Sequence, residues 1–391
     1  MKKLTLILSL WFVLLLAGCS SDDAPTAVTP VLLPPMTWKT VSAGEEHTAA
    51  IRSDGSLWTW GSNEWGQLGN GNYLDSGLPQ RIGTDTNWKA ISCGRNHVIA
   101  LKTNGTIWAW GANDYKQLGT GVVANSVNHP VQIGSGSDWT MIASKNNHTV
   151  AVKSNGTTWN WGNYNYNPGY DNGNPLPMIP TPTQFASGNW QAITASDASN
   201  LLLKSDGTLW GNGRNSLFEL AHVVDDRYHI LYETPIQIGT ENNWKTVNAG
   251  HYHVIATKTD GTLWSWGWVA LGLGSSTIYG IPKQIGTANN WLYAANGIAH
   301  SMAIRTDGTI WSWGGNSFGQ LANGAMTSAS TETPQQIGTD ADWVAIYAGH
   351  QSSFAKKSDS SLWAWGKNAA GQLGNGDTVS SAVPILIACP Q

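Results

Sequence analysis

The sequence has 391 residues, of which only 12% are charged, and its formal net charge at pH 7 is −4. An average soluble domain has about 25% charged residues, and a protein that binds nucleic acid through its phosphates needs a clustered basic surface. The composition therefore argues against a nucleic-acid partner, and its 44 glycines and 23 tryptophans favour an all-β protein with many turns.

The first predicted element is a secretory signal peptide at residues 1–18. Two lysines precede an apolar run from Leu4 to Leu16, which is typical of a signal peptide and too short to span a bilayer. The sequence Leu-Ala-Gly-Cys that ends at Cys19 resembles the processing box of bacterial lipoproteins. The resemblance implies that Cys19 is the lipidation site and the first residue of the mature protein.

Residues 19–37 are expected to connect this lipidated cysteine to a folded domain that spans residues 38–391. The connecting segment is rich in Ser, Asp, Pro and Thr, a composition typical of tethers. The predicted location is the bacterial cell envelope, outside the cytoplasm, at the outer membrane or the cell surface. The lipid anchor is the only membrane contact that we expect.

Seven segments of about 50 residues repeat along the folded domain. They open at Trp38, Trp88, Trp139, Trp190, Trp244, Trp291 and Trp343. Each segment is predicted to form four short strands. The second and third strands are separated by a pair such as Asp54-Gly55, which predicts a type I′ hairpin turn, whereas Asp359-Ser360 in repeat seven predicts a strained turn or another type. The fourth strand is predicted at a Pro-x-x-Ile element, and its proline fits an outer edge.

The strand pattern predicts an all-β fold, a seven-bladed β-propeller of four-stranded antiparallel blades. The second strands are apolar on both faces, so each sheet is expected to be buried between two others. Tryptophans two residues apart, such as Trp58 and Trp60, are predicted to pack between blades. Residues 30–33 and residues 384–387 both resemble a fourth strand, and the sequence leaves open which of them completes the ring.

A motif within the repeats resembles the regulator of chromosome condensation family. It reads Gly-x-x-His and then Trp-Gly-x-Asn-x-x-Gly-Gln-Leu-Gly, as at residues 44–47 and 60–69. The resemblance spans residues 38–391 but weakens in repeats three to five, where Lys145 replaces the glycine and Ser199 replaces a histidine. It implies a propeller, with functions as varied as nucleotide exchange, light sensing and inhibition of β-lactamases. Light sensing is not expected, because the tryptophan that follows the glycine in such members is absent.

The polar residues of the chain indicate no metal or cofactor site and no enzyme. Five histidines recur at one position of the repeats: His47, His97, His148, His253 and His300. Because blades spread equivalent residues around an axis, we expect a structural hydrogen bond there and no shared ion. His222, Asp225, Asp226 and His229 are expected to lie in a solvated loop, and residues 171–174 lack the closing glutamate of a calcium loop. Whether Cys93 and Cys389 form a disulfide stays open.

Two sets of loop residues vary between repeats while the frame stays fixed, and we predict that they bind a partner. The first set joins strands one and two: Glu45, Glu46, Arg95, Asn96, Asn146, Asn147, Asp197, His251, Tyr252, His350 and Gln351. The second set precedes Gly-Gln-Leu-Gly or its equivalent: Trp65, Tyr115, Tyr166 and Phe318. Aromatic groups beside mixed polar groups are typical of binding surfaces. The alternative is that these aromatic side chains pack within their own loops.

The predicted function is that of an extracytoplasmic lipoprotein that binds a protein through loops on one face. We expect a monomer without a nucleic-acid partner. Two alternatives stay open. One is a propeller enzyme, a lyase or a hydrolase, with a metal on the axis, and the other is a structural component of an envelope assembly.

Overall fold

Seven four-stranded sheets make up the part of the chain that the structure describes. The structure is a computed structural model, and it describes residues 37–121, 124–163, 178–222, 231–275 and 277–390. Within these ranges no helix is long and apolar enough to cross a membrane. The strands of each sheet are consecutive along the chain and pair antiparallel. The predicted seven-bladed β-propeller is therefore confirmed.

The first four blades have these strands. Blade one comprises β1 (Trp38–Ala43), β2 (His47–Arg52), β3 (Leu57–Gly61) and β4 (Ser76–Arg81). Blade two comprises β5 (Trp88–Cys93), β6 (His97–Lys102), β7 (Ile107–Ala112) and β8 (Ser126–Gln132). Blade three comprises β9 (Trp139–Lys145), β10 (His148–Lys153), β11 (Thr157–Gly162) and β12 (Ile179–Ser187). Blade four comprises β13 (Trp190–Ala195), β14 (Ser199–Lys204), β15 (Leu209–Arg214) and β16 (Leu231–Gln237).

The remaining three blades repeat the arrangement. Blade five comprises β17 (Trp244–Ala249), β18 (His253–Lys258), β19 (Leu263–Gly267) and β20 (Tyr279–Gln284). Blade six comprises β21 (Trp291–Asn296), β22 (His300–Arg305), β23 (Ile310–Asn316) and β24 (Thr327–Gln336). Blade seven comprises β25 (Trp343–Ala348), β26 (Ser352–Lys357), β27 (Leu362–Gly366) and β28 (Ser381–Ile387).

The first strand of every blade is innermost. Each first strand contacts the first strand of the next blade, and β25 contacts β1, which closes the ring around a central channel. The fourth strand lies at the outer edge, as its proline predicted. It is longer than the Pro-x-x-Ile element, since β4 begins at Ser76, three residues before Pro79.

The hairpin turns between second and third strands are not of type I′, so that prediction was wrong. In blade one the amide of Gly55 donates to the carbonyl of Arg52 at 2.9 Å, and only the glycine has a positive φ, at +79°. This is a three-residue loop, a type I turn followed by a left-handed residue. The carboxylate of Asp54 accepts from the amide and the hydroxyl of Ser56, at 2.9 Å and 2.6 Å, so the acid caps the turn.

The tryptophans divide into two roles. Trp60 is fully buried, and its indole nitrogen donates to the carbonyl of Gln372 in blade seven at 2.9 Å, so packing between blades is confirmed for this position. Trp58 instead packs edge-on against Trp38 of its own blade, with ring centroids 6.3 Å apart. The guanidinium of Arg52 lies 4.9 Å from the Trp58 ring.

The C-terminal strand completes the last blade, which answers the question that the sequence left open. β28 pairs with β27, and Ile387 joins a core cluster with Trp38 and Val41 of blade one. The competing residues 30–33 lie outside the described residues. Cys93 and Cys389 are free thiols, the first of them buried, so they do not form a disulfide with each other.

Candidate binding face at the mouth of the channel

The loops that join first and second strands surround one end of the channel, which we call the mouth. In blades six, seven, one, two and three the backbones of these loops bond to one another from blade to blade. The amide of Glu45 donates to the carbonyl of Arg95 at 3.1 Å, and that of Arg95 donates to Asn146 at 2.7 Å. Blade seven joins blade one through the amide of His350 and the carbonyl of Gly44, at 3.1 Å. These bonds fix the loop backbones and leave the identity of the side chains free.

A cavity of about 410 Å³ opens at the mouth. Seven residues of the first predicted set line it: Glu45, Arg95, Asn146, Asp197, His251, Tyr252 and His350. The prediction that these loops share one face is therefore correct in its geometry. Asn146 and His251 are 6% and 7% exposed, so they form the walls and contribute little open surface.

A groove of about 690 Å³ runs between blades one and two beside this cavity. It is lined by residues of both predicted sets: Glu45, Glu46, Trp65, Arg95, Asn96, Tyr115 and Asn147. Residues of the two predicted loop sets therefore line one groove. Trp65 and Tyr115 are half-buried, so part of each ring is accessible in the groove.

The other predicted residues lie apart from this groove. Phe318 and Gln351 are half-buried, and the ammonium of Lys367 lies 5.6 Å from the Phe318 ring. The same ammonium is 2.6 Å from a carboxylate oxygen of Glu46, which links the Phe318 loop to blade one. Tyr166 lies outside the described residues.

The charges of the mouth are arranged in close pairs. Nε of Arg95 lies 2.5 Å from Oε2 of Glu45, and Nδ1 of His251 lies 2.7 Å from Oδ1 of Asp197. The rings of His251 and His350 are 4.8 Å apart. Burial, together with the nearby His251, lowers the pKa of His350 to about 2, so its imidazole is neutral at pH 7.

Blade four contributes a residue that the sequence analysis missed. Glu219 lines the mouth cavity, is 3% exposed, and stands where four other blades have a glutamine, as at Gln67. Burial raises the pKa of its carboxyl to about 7. The sequence signal for Glu219 is that repeat four has an acid where four other repeats have glutamine.

The predicted structural hydrogen bond is confirmed for four of the five recurring histidines. Their Nε2 atoms face a polar side chain of the next blade, as in His253 with the Ser301 hydroxyl at 2.9 Å and His148 with Oδ1 of Asn200 at 3.1 Å. The ring of His47 is buried without such a bond, because the next blade has Val98 at the equivalent position. The glycine of the motif gives the ring its space, since a Cβ at Gly94 would lie 2.0 Å from Cε1 of His97. These buried imidazoles therefore stabilise the loops between first and second strands and are not part of the binding surface.

Across the described ranges, no group of three or more His, Cys, Asp or Glu side chains is arranged to hold a metal ion. Nδ1 of His222 lies 2.7 Å from the Tyr232 hydroxyl. The neighbouring Asp225, Asp226 and His229 lie outside the described residues, as do residues 171–174.

Two family models match the chain, and both are described as the regulator of chromosome condensation (RCC1) repeat. One matches residues 54–101, 104–152, 307–355 and 359–391, and the other matches residues 38–67 and 88–117. Together they cover half of the chain. The matched blades include all those that carry the full motif.

Similar proteins have varied functions. The chain is 28% identical over 375 residues to the ultraviolet-B receptor UVR8 of Arabidopsis thaliana, an alignment that covers 93% of this chain and 73% of the receptor. It is 24% identical over 232 residues to the E3 ubiquitin-protein ligase HERC2 of Homo sapiens, which covers 58% of this chain and 4% of the ligase.

The solved structures that resemble this one share its fold. Prp20p of Saccharomyces cerevisiae has a TM-score of 0.76 at 20% identity, covering 90% of this chain and 88% of that one. Human WBSCR16 has a TM-score of 0.73 at 18% identity, covering 86% of this chain and 94% of that one. At these identities the likeness establishes the propeller alone.

Proposed function

The chain belongs to the regulator of chromosome condensation (RCC1) repeat family, and we propose that it is an extracytoplasmic lipoprotein that binds a protein partner at the mouth. The observation that carries this proposal is the contrast between backbone and side chains at the mouth. The loop backbones of blades six, seven, one, two and three are bonded to one another in sequence, whereas the side chains differ from blade to blade. Side chains that the fold does not require are available for recognition.

The shape of the face suits a macromolecular partner. The mouth cavity and the adjoining groove share Glu45 and Arg95, so they form one continuous concave surface. Tyr252 borders the cavity, and Trp65 and Tyr115 border the groove. Large aromatic side chains near the centre of a surface are the groups that most often dominate protein affinity.

Similar propellers provide precedents for protein binding. Prp20p is described together with its binding properties to Gsp1p and histones, and a structure of yeast RCC1 contains bound Kap60. Gsp1p, histones and Kap60 are partners of the yeast proteins. For this chain they support the class of function, and the acidic net charge and the export signal argue for a different partner.

The lipid anchor is tested separately from the binding face. We expect the mature protein to sit in the membrane fraction with the mass of acyl chains on Cys19. Cys19→Ala should leave the protein unprocessed or released, because the thiol is the site of acylation. Recovery of Cys19→Ala protein in the membrane with lipid still attached would overturn the lipoprotein proposal.

Capture from detergent-solubilised envelopes of the source bacterium tests the binding face. We expect the full-length protein to retain a stoichiometric partner, and the double variant Arg95→Ala with Tyr252→Ala to lose it. Arg81→Ala with Tyr73→Ala is the matched control, because it removes the same residue types from the exterior of blade one, where Tyr73 is 50% exposed.

Equal recovery of the partner by the wild type and the mouth variant would contradict binding at the mouth. A tightly bound transition metal without a protein partner would instead favour the propeller enzyme. A partner lost equally from the mouth variant and the control would place the interaction on a wider surface, as in an envelope assembly.

A further inference from the structure

The central channel behind the mouth forms a second cavity, of about 340 Å³, enclosed by the first strands. Hydroxyl and amide groups line it, among them those of Ser42, Thr194, Asn248 and Tyr293. Lys145 is the one charged residue among those that line this cavity. The volume lies within the range of small-molecule pockets.

Several channel hydroxyls are arranged as hydrogen-bond donors. The oxygens of Ser42 and Tyr293 accept amide protons from the next blade at 2.9 Å, and that of Thr194 does so at 3.3 Å. A hydroxyl that accepts through its oxygen keeps its own proton available. Within the described part of the chain no acceptor takes the protons of these three hydroxyls, so they can donate to a molecule in the channel.

Lys145 reaches the channel through a change in the loop of blade three. Five other blades have glycine at this position, and the common loop has no room for a side chain there, as the close approach of Gly94 and His97 shows. In blade three β9 extends through Lys145, which pairs with His148, and Asn146 takes a left-handed φ of +46°. The ammonium crosses to blade six, 3.4 Å from the carbonyl of Asn296.

Among the described residues, the ammonium of Lys145 forms no ion pair. None of the described carboxylates lies within 4.0 Å of it, although Asp197 at the mouth favours its charged form. Burial lowers its pKa to about 8, so it is mostly protonated at pH 7. The titratable groups that face it from neighbouring blades are His253, His300 and His350, and burial lowers the pKa of each well below 7, which keeps them neutral. A half-buried cation without a carboxylate in contact loses part of its hydration, and an anion bound in the channel would offset that loss.

Lysines are also present at the far end of the channel. The second residue of each first strand lies at that end, and three of the seven are exposed lysines, Lys39, Lys89 and Lys245. The other four are uncharged: Thr140, Gln191, Leu292 and Val344. Acids of the hairpin turns, such as Asp54 and Asp260, lie at the same end of the blades, so the preference for an anion comes from Lys145.

We propose that the channel binds a small organic or inorganic anion, with its carboxylate or phosphate group held by the Lys145 ammonium and the hydroxyls of Ser42, Thr194 and Tyr293. This site lies behind the protein-binding face and does not depend on it. Carboxylate and phosphate share the oxygen acceptors that an ammonium and hydroxyl donors recognise. The two ligand types are distinguished by the probes of the experiment.

Isothermal titration calorimetry of the full-length protein with citrate and, separately, inorganic phosphate tests the site. Ionic strength is held constant with sodium chloride at pH 7. We expect at least one probe to bind in the channel. Lys145→Met should weaken that binding at least tenfold, whereas Lys283→Met, at an exposed position of β20, should leave it unchanged. Binding should also weaken above pH 8, as the amine of Lys145 loses its proton.

Lys145→Gln serves as a second variant in case the methionine disturbs the loop, and the melting temperature of each variant reports its folding. Binding of citrate alone assigns a carboxylate ligand, and binding of phosphate alone assigns a phosphate ligand. Absence of binding by either probe would overturn the proposal. Equal affinity in the wild type and in both Lys145 variants would overturn it as well.

Discussion

Glu219 shows that the fold tolerates a carboxyl where it needs only a hydrogen-bond acceptor. The amide of Leu217 donates to Oε2 of Glu219 at 3.0 Å, just as the amide of Trp65 donates to Oε1 of Gln67 at 2.8 Å. Glutamine makes this bond without a charge, so the acid is not required by the turn. The sequence contained the substitution, but only the structure shows that the side chain borders the mouth.

We expect Glu219→Gln to stabilise the protein at high pH. The pKa rises from 4.5 to about 7 on folding, so the carboxyl's contribution to stability is fully present below pH 4.5 and is lost as the pH rises through 7. At pH 8 the variant should have a free energy of unfolding up to about 3 kcal/mol above that of the wild type and a higher melting temperature. At pH 4 the two proteins should melt at nearly the same temperature. Gln372→Glu, which introduces a buried acid at the equivalent position of blade seven, should lower the free energy of unfolding at pH 8. If Glu219→Gln differed from the wild type in stability by the same amount at pH 4 and pH 8, burial would not raise the pKa of Glu219.

The five recurring histidines predict a loss of stability in mild acid. Burial lowers the pKa of His47 and His148 to about 4, and that of His97, His253 and His300 to about 3, from 6.5. The unfolded chain therefore binds protons below pH 6.5 that the folded chain does not bind until about pH 3 to 4. The free energy of unfolding in urea should fall between pH 7.5 and 5.5.

His300→Asn isolates one member of this set. It should reduce the number of protons taken up on unfolding at pH 5.5 by about one, which the slope of unfolding free energy against pH measures. A slope equal to that of the wild type would show that His300 is already protonated in the folded protein.

At the scale of the element, the sequence located the hairpins but not their geometry. An Asp-Gly pair suits both a two-residue turn and the end of a three-residue turn, and the difference depends on which residues pair across the strands. In this protein the amide of Arg52 donates to the carbonyl of Ser56 at 3.0 Å, which adds Ser53 to the loop. The Asp or Asn side chain therefore caps the turn.

The seventh hairpin provides the test of this geometry. Ser360 has a φ of +69° at the position where six blades have glycine, and its amide donates to the carbonyl of Lys357 at 2.9 Å. The turn is thus of the common type and strained, which removes the alternative of another type. Ser360→Gly should raise the free energy of unfolding by about 1 kcal/mol, because glycine adopts this conformation without steric cost.

Gly308→Ser in blade six is the opposite change, and it should lower stability by more than this amount in the same denaturant titration, because a Cβ there would also clash with the backbone carbonyl of Ala341. A decrease in stability for Ser360→Gly would mean that the serine hydroxyl contributes more than the strain costs.

A basic residue ends the second strand of every blade, a pattern that the sequence analysis did not use. These residues are Arg52, Lys102, Lys153, Lys204, Lys258, Arg305 and Lys357. Each lies within 5.5 Å of at least one tryptophan ring centroid of its own blade. A lysine at a strand end usually points to solvent, so the pattern alone did not indicate cation–π packing.

At the scale of the whole molecule, seven repeats of four strands were sufficient to predict the propeller. The shared face of the mouth loops was also predictable, because strand connections alternate between the two ends of a blade. The groove between blades one and two was not predictable from the sequence, since it is lined by Trp65 of blade one together with Asn96 of blade two. Such contacts depend on the rotation between blades, which no local pattern encodes.

Ring closure predicts which terminus the propeller requires. Truncation after Ser381 removes most of β28 and the buried Ile387, so the seventh blade loses its outer strand and part of the core that it shares with blade one. We expect the free energy of unfolding to drop by about 3 kcal/mol or more, seen as a lower melting temperature. Deletion of residues 29–33 is the control and should have little effect. The reverse pattern would show that the N-terminal segment closes the ring.

If the mouth binds a protein, it does so through side chains that the fold does not need. The affinity of the captured partner for Arg95→Ala, Tyr252→Ala and His350→Ala, each made singly, tests this together with the melting temperature of each variant. We expect at least one variant to bind about tenfold or more weakly, a loss of about 1.4 kcal/mol, while its melting temperature stays within about 2 °C of the wild type. Unchanged affinity in all three variants would contradict the claim and move the site to the groove around Trp65 and Tyr115, or off this face.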